Sequence, residues 1–314
     1  IMNLFWKKFF GILMPTNQYE SKEVDFLTVS EKIKSLRYSQ ALDEYKRILL
    51  SSKFASADSR KQQKHRLSEL KRHPDVAFFL KNQSKKNGPV RDAYLTFSDD
   101  FYQQKPDETR WNFGFYFRNE KLIRNYSFHN EKQANNAGNN TSVNAGVLQI
   151  QTRREAMKSL AWHPVNGFAE KQFAYTSDVL QSAKNFRQEG GIFKAKIRCS
   201  GNIHHAFWLG IEKKEPHINI FHFNGAEIQL GFMNRQQGDG IIIKGINPAK
   251  YYIYSLEWTK DELIWYINNL IVFRAKNNVP KEQMFLVFNS FISDKMTGEE
   301  GLLEVDWVRV YQWI

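Results

Sequence analysis

Four of the 8 histidines in this chain of 314 residues stand close together, as His204, His205, His217 and His222. Imidazoles near neutrality can exchange hydrogen bonds, carry a proton, or ligate zinc or copper. In the segment His217-Ile-Asn-Ile-Phe-His222 the polar residues His217 and Asn219 are two apart and share one face of a strand. His204 and His205 are adjacent and point to opposite faces, so at most three of the four imidazoles can meet at one metal. The alternative is a set of uncharged, hydrogen-bonding histidines. Glu212 and Glu215 lie just upstream in a connecting loop. A site built on Glu215 would sit in a loop, without the rigid spacing that a strand gives to paired groups.

The elements that must position these groups are strands. From about Leu95 the pattern has a period of two, as in Gly191-Ile-Phe-Lys-Ala-Lys-Ile-Arg198, Tyr252–Trp258, Leu263–Ile267, Leu270–Arg274 and Leu303–Tyr311. Asn268-Asn269 sits between two of them and reads as a hairpin turn, because asparagine tolerates positive φ. Many short strands separated by turns predict an all-β fold of two packed antiparallel sheets. The preceding stretch is different. Ile33, Leu36, Ala41, Leu42, Tyr45, Ile48 and Leu49 recur at helical spacing on one face. A second helix is predicted over Ala57–Arg72, ended by His73-Pro74, and a third over Asp75–Lys81. The polar run Ser84-Lys-Lys-Asn-Gly-Pro89 is the expected boundary, which divides the chain into a helical module over residues 1–90 and a sandwich over residues 91–314.

Composition agrees with a folded protein: 42% hydrophobic, 15% aromatic and 25% charged residues. A high aromatic share suits both a β-rich core and a sugar-stacking surface. The net charge of +12 is concentrated early, with 19 Lys and Arg against 10 Asp and Glu in residues 1–96. No zinc-finger spacing, phosphate-cradling loop or arginine run accompanies it, so the charge reads as a solvated basic helical surface and no nucleic-acid partner is expected. Cys199 is the one cysteine, which rules out an intrachain disulfide and fits a reducing compartment. The start, Ile1 to Met14, is apolar but interrupted by Lys7 and Lys8, a poor export signal. It could lie in a membrane interface, dock on a protein partner, or pack on the rest of the chain. Cytoplasmic placement, with peripheral membrane attachment as an option, is the expectation.

The strands carry motifs in a particular order. Leu95-Thr-Phe-Ser-Asp-Asp-Phe101 with Trp111, Asn144–Ile150, Tyr175-Thr-Ser177 with Gly191–Ile197, Ala206-Phe-Trp-Leu-Gly210, Tyr254–Thr259 and Val305-Asp-Trp-Val-Arg-Val-Tyr-Gln312 together resemble the family 16 glycoside hydrolases, of the laminarinase type. The resemblance spans nearly all of residues 95–314. It implies a concanavalin-like jelly-roll sandwich with a groove for β-linked polysaccharide. It also implies a strand reading Glu-x-Asp-x-x-Glu, in which a local bulge returns the last residue to the face of the first two. The equivalent strand here is His217-Ile-Asn-Ile-Phe-His222, followed by Asn224-Gly225, so His217, Asn219 and His222 stand where the resemblance places carboxylates.

A glycan-binding homologue without hydrolysis is therefore the leading expectation, with Trp111, His205, Trp208, His217, Asn219 and His222 lining the groove. An enzyme with a non-standard or metal-dependent site, and a scaffold docked through its helices, are the other two. No cofactor is expected beyond a structural calcium, which the resemblance implies at Asp306 with backbone near Asp100.

Overall fold

The computed structural model describes residues 1–51, 56–83, 93–116 and 126–313. The expected boundary at Ser84–Pro89 lies outside them. Two compact units emerge, Ile1–Glu20 with Phe97–Val310, and Ser21–Thr96 with Tyr311–Ile314.

The first unit is the sandwich. One sheet has eight strands in the order Met2–Asn3, Gln237–Lys244, Ile228–Asn234, His217–Asn224, His204–Gly210, Phe285–Phe291, Val179–Gln181 and Asn112–Phe113. The other has the order Leu270–Ala275, Leu263–Ile267, Tyr252–Trp258, Gly191–Ser200, Gly301–Trp313, Val147–Thr152 and Thr141–Asn144, with Ala93–Asp99 also paired to Gly301–Trp313. The predicted strands match these closely. Their inward residues, among them Phe193, Ile197, Phe207, Ile218, Leu256, Trp258, Trp265 and Phe288, form one continuous core. Each fully buried large apolar side chain contributes about 1.5–3 kcal/mol, so the layer between the sheets is what holds the unit together. Asn268 adopts the positive φ, 49°, foreseen for the turn before Leu270.

Residues 1–20 correct the sequence reading, which grouped them with the helices. Met2–Asn3 adds a parallel edge strand beside Ile243 and Lys244, and Leu4 and Leu13 are buried in the sandwich core. The turn amides hold the segment down: Asn268 Nδ2 donates to the Met14 carbonyl at 2.9 Å, and the Met14 N–H donates to Asn269 Oδ1 at 2.7 Å. The hydrophobic pattern alone could not show this, because the partners lie some 250 residues away.

In the second unit, helices span Gln40–Ser51, Ala57–Leu70 and Pro74–Gln83, and the helix Thr16–Leu36 enters it at Ser21. Leu36, Leu42, Tyr45, Leu70, Val76 and Phe79 make a separate small core. The face predicted from Ile33 to Leu49 is broken at Arg37–Ser39, where the Ser39 hydroxyl accepts from the Leu42 N–H at 3.3 Å and caps a new helix. Leu49, near the end of that helix, stays exposed.

Candidate functional site

The strand His217–Asn224 is central in its sheet, between His204–Gly210 and Ile228–Asn234. Its apolar residues Ile218, Ile220, Phe221 and Phe223 are buried, while His217, Asn219, His222 and Asn224 are partly exposed. Two adjacent residues, Ile220 and Phe221, turn inward. Pairing accordingly shifts between Asn219 opposite Gly231 and His222 opposite Gln229. This is the bulge that the resemblance implies, and it returns His222 to the face that carries His217 and Asn219. Its open backbone is served from the other sheet, where the buried Trp265 indole N–H donates to the Asn219 carbonyl at 2.9 Å. At the strand's end Asn224 Oδ1 accepts from the Ala226 and Glu227 N–H groups, closing the turn through Gly225 at φ 91°.

Two polar couples lie along this face. His217 Nε2 is 2.7 Å from Asn219 Oδ1, and the His217 ring stacks on Trp208 with centroids 4.5 Å apart. Trp208 Nε1 donates to Asn289 Oδ1 at 2.9 Å. Gly210 makes room for the indole, since a Cβ there would stand 2.4 Å from the Trp208 ring. In the second couple His204 Nδ1 is 2.9 Å from His222 Nε2, and Phe291 stacks on His204 at 4.2 Å with parallel planes. One ring of the His204–His222 pair must donate and the other accept, so at least one is a neutral tautomer.

Burial sets the charge state. It pushes His222 down to about 3, with the neighbouring His204 and His217 adding to the shift, and lowers His204 and His217 as well. At neutral pH the face is therefore an uncharged array of imidazole, amide and aromatic groups. Such an array can exchange hydrogen bonds with hydroxyls and stack on a sugar ring.

Not every predicted residue reaches it. His205 points the other way, as strand alternation requires: it is fully buried, with Nδ1 2.8 Å from the Ser290 hydroxyl and Nε2 3.0 Å from the Ser200 carbonyl. Trp111 is also a core residue, donating to Asp99 Oδ2 at 2.7 Å and packing on Phe97 and Phe288. Glu212 is paired with Arg187 at 2.7 Å, and Glu215 accepts the Gln236 N–H at 2.6 Å, so both upstream carboxylates are engaged in the loops. Among the described residues no group of three or more His, Cys, Asp or Glu side chains is arranged to hold a metal. Asn289 and Phe291 were not anticipated. Their strand lies about 70 residues further along and joins the site only through pairing with His204–Gly210. A separate cavity of about 340 Å³, lined among others by Arg235, Lys260, Lys276 and Lys281, contains none of these side chains.

The Asp306 carboxylate, the side chain expected at a calcium, is already engaged. Asp306 is 2.6 Å from Lys196 Nζ, which also binds both Glu20 carboxylate oxygens at 2.9 and 2.8 Å. Asp100 is 2.8 Å from Arg309. A divalent ion at Asp306 would have to compete with the Lys196 ammonium.

Two stacked sheets with a polar strip across the central strands of one define a concanavalin-like sandwich. Residues 128–309 match the glycosyl hydrolases family 16, and the chain belongs to that family. It is 23% identical over 267 residues to a β-glucanase of Rhodothermus marinus, across 70% of this chain and 85% of that protein. It is 26% identical over 247 residues to the endo-1,3-1,4-β-glycanase EglC of Rhizobium meliloti, across 69% of this chain and 51% of that protein. The catalytic domain of an endo-1,3-β-glucanase (laminarinase) from Thermotoga petrophila shares the fold, with a TM-score of 0.57 at 20% identity over 71% of this chain and 99% of that domain.

Proposed function

We propose that this chain binds a β-linked glucan along the face of His204, Trp208, His217, Asn219, His222 and Phe291 without hydrolysing it by the two-carboxylate route. The observation that carries this is the identity of the three side chains that the bulge gathers on one face: two neutral imidazoles and an amide. Retaining hydrolysis needs one ionised and one protonated carboxyl about 5 Å apart. Asn219 carries no charge, and neutral imidazoles held at low pKa neither attack a sugar as a stable nucleophile nor donate a proton readily at neutral pH. Hydrogen bonding to hydroxyls beside a stacking indole is what such groups do well. The relatives' β-glucanase and endo-glucanase names make a β-glucan the ligand class to try first.

The test is binding of soluble β-1,3- and mixed-linkage glucans by calorimetry, alongside an assay for released reducing sugar. Binding is expected without release. His217→Ala and His222→Ala should each weaken binding about tenfold or more, while Tm falls by no more than about 4 °C. Cleavage at an ordinary enzymatic rate, or binding indifferent to both substitutions, would overturn the proposal.

A further inference from the structure

The first twenty residues leave one group of side chains unexplained. The short helix Phe5–Phe9 and the turn after it expose Phe5, Trp6, Phe9, Phe10 and Ile12, the two phenylalanines at positions 9 and 10 being 70% and 67% exposed. These rings pack on one another: Phe5 on Trp6 at 5.2 Å, Trp6 on Phe9 and on Phe10 at 5.9 Å, and Phe9 on Phe10 at 5.3 Å. Isolated exposed apolar residues are ordinary, but a contiguous aromatic cluster is not.

The cluster is also held firmly. Leu4 on one side and Leu13 on the other are buried in the sandwich core. The Leu4 N–H donates to the Lys244 carbonyl at 2.7 Å, and the Ile12 carbonyl accepts from Asn269 Nδ2 at 3.0 Å. Gly11, at φ 68°, reverses the chain so that the Ile12 and Leu13 N–H groups both reach the Lys7 carbonyl, at 2.8 and 2.9 Å. The aromatic rings therefore project from a loop whose ordering entropy is already met by folding, which lowers the cost of inserting them elsewhere.

Charge selects the occupant. Residues 1–19 include Lys7 and Lys8 and no Asp or Glu. Lys8 reaches back to the Tyr252 hydroxyl at 3.3 Å, while Lys7 sits within the exposed helix. Phe, Trp and Ile beside lysine, without acid, match the boundary between acyl chains and anionic headgroups. No described helix is long and apolar enough to cross a membrane.

We infer that residues 5–12 are an interfacial anchor that seats the sandwich on an anionic lipid surface, rings in the acyl boundary and Lys7 among the headgroups. The inference is independent of the glycan reading and survives its failure.

The full chain is floated with phosphatidylcholine vesicles and with vesicles in which roughly one lipid in three is phosphatidylserine. Flotation is expected with the anionic vesicles and much less with the neutral ones. The double substitution Phe9→Ser/Phe10→Ser, at two exposed positions, should cut partitioning at least tenfold with Tm unchanged, and Lys7→Gln should cut it about fivefold. No flotation with either vesicle, equal flotation with both, or flotation indifferent to the double substitution would each overturn the inference. So would concentration-dependent self-association that the double substitution abolishes when vesicles fail to bind, which would make a second copy the occupant.

Discussion

Among single residues, the imidazoles on and beside the candidate site have measurable consequences for stability. Burial holds His205 and His222 at about 3 in the folded protein, against about 6.5 in an unfolded chain. Between those values the unfolded chain binds more protons, so stability falls as pH drops below about 6.5, by up to about 1.4 kcal/mol per pH unit for each group. Glu131 works in the opposite sense. Its buried carboxyl is raised to about 7, so the folded state holds its proton more tightly and loses stability as pH rises toward that value. The two histidines outweigh it because their combined displacement is larger. Urea unfolding at pH 7 and pH 5 should show a clear loss at the lower pH. His205→Gln, although weaker at pH 7, should show a shallower loss, and an unchanged slope would mean that His205 is not held neutral.

At the scale of elements, the strand His217–Asn224 shows why alternation was informative but incomplete. Strict alternation puts His217 and Asn219 on one face and His222 on the other. The bulge at Ile220-Phe221 reverses that, and the Trp265 indole satisfies the Asn219 carbonyl beside it across the core. Trp265→Phe removes the donor and leaves a buried carbonyl unpaired in addition to losing packing, so a destabilisation of about 2 kcal/mol or more is expected in denaturant unfolding. If the bulge relaxes as well, the same variant should lose glycan binding, although Trp265 does not belong to the exposed face. The helices make a complementary point. Their periodicity was readable from Ile33 to Leu49, but the Ser39 cap splits the stripe into two helices, because a serine hydroxyl competes for the backbone N–H groups of the next turn.

For the whole molecule, the chief surprise is how the N-terminal segment joins the sandwich. Glu20, near its end, completes a cluster in which Lys196 is gripped by Glu20 and Asp306, and the Trp307 indole donates to Glu20 Oε1 at 2.8 Å. A lysine ammonium thereby sits between these two carboxylates. Burial works against that ammonium, but Asp306 and Glu20 outweigh it and its pKa is raised. Differential scanning should accordingly show no change in Tm on adding EDTA or calcium to the native protein. Lys196→Met should cost on the order of 2 kcal/mol by leaving two carboxylates face to face, and calcium should then restore part of the loss. A calcium-dependent rise in the native protein would contradict this. The same packing means that truncating the chain before Glu20 strips a strand, two core leucines and this ion cluster, so point substitutions are the cleaner probe of the aromatic loop.

Local sequence carried the strands, the helices and the family, because alternation, helical spacing and an ordered series of short motifs are recorded in neighbouring residues. It also located the strand that carries the bulge and the three side chains, His217, Asn219 and His222, that share its face. Which tryptophan and which histidine face outward was a tertiary matter. Trp111 and Trp208 are equally aromatic in the sequence, yet one is taken by Asp99 into the core and the other lies over Gly210 beside His217. Asn289, Phe291 and the clamp of Asn268 and Asn269 on residues 12–16 depend on strand order and long-range pairing, and contacts between residues so far apart leave no periodic trace in the chain.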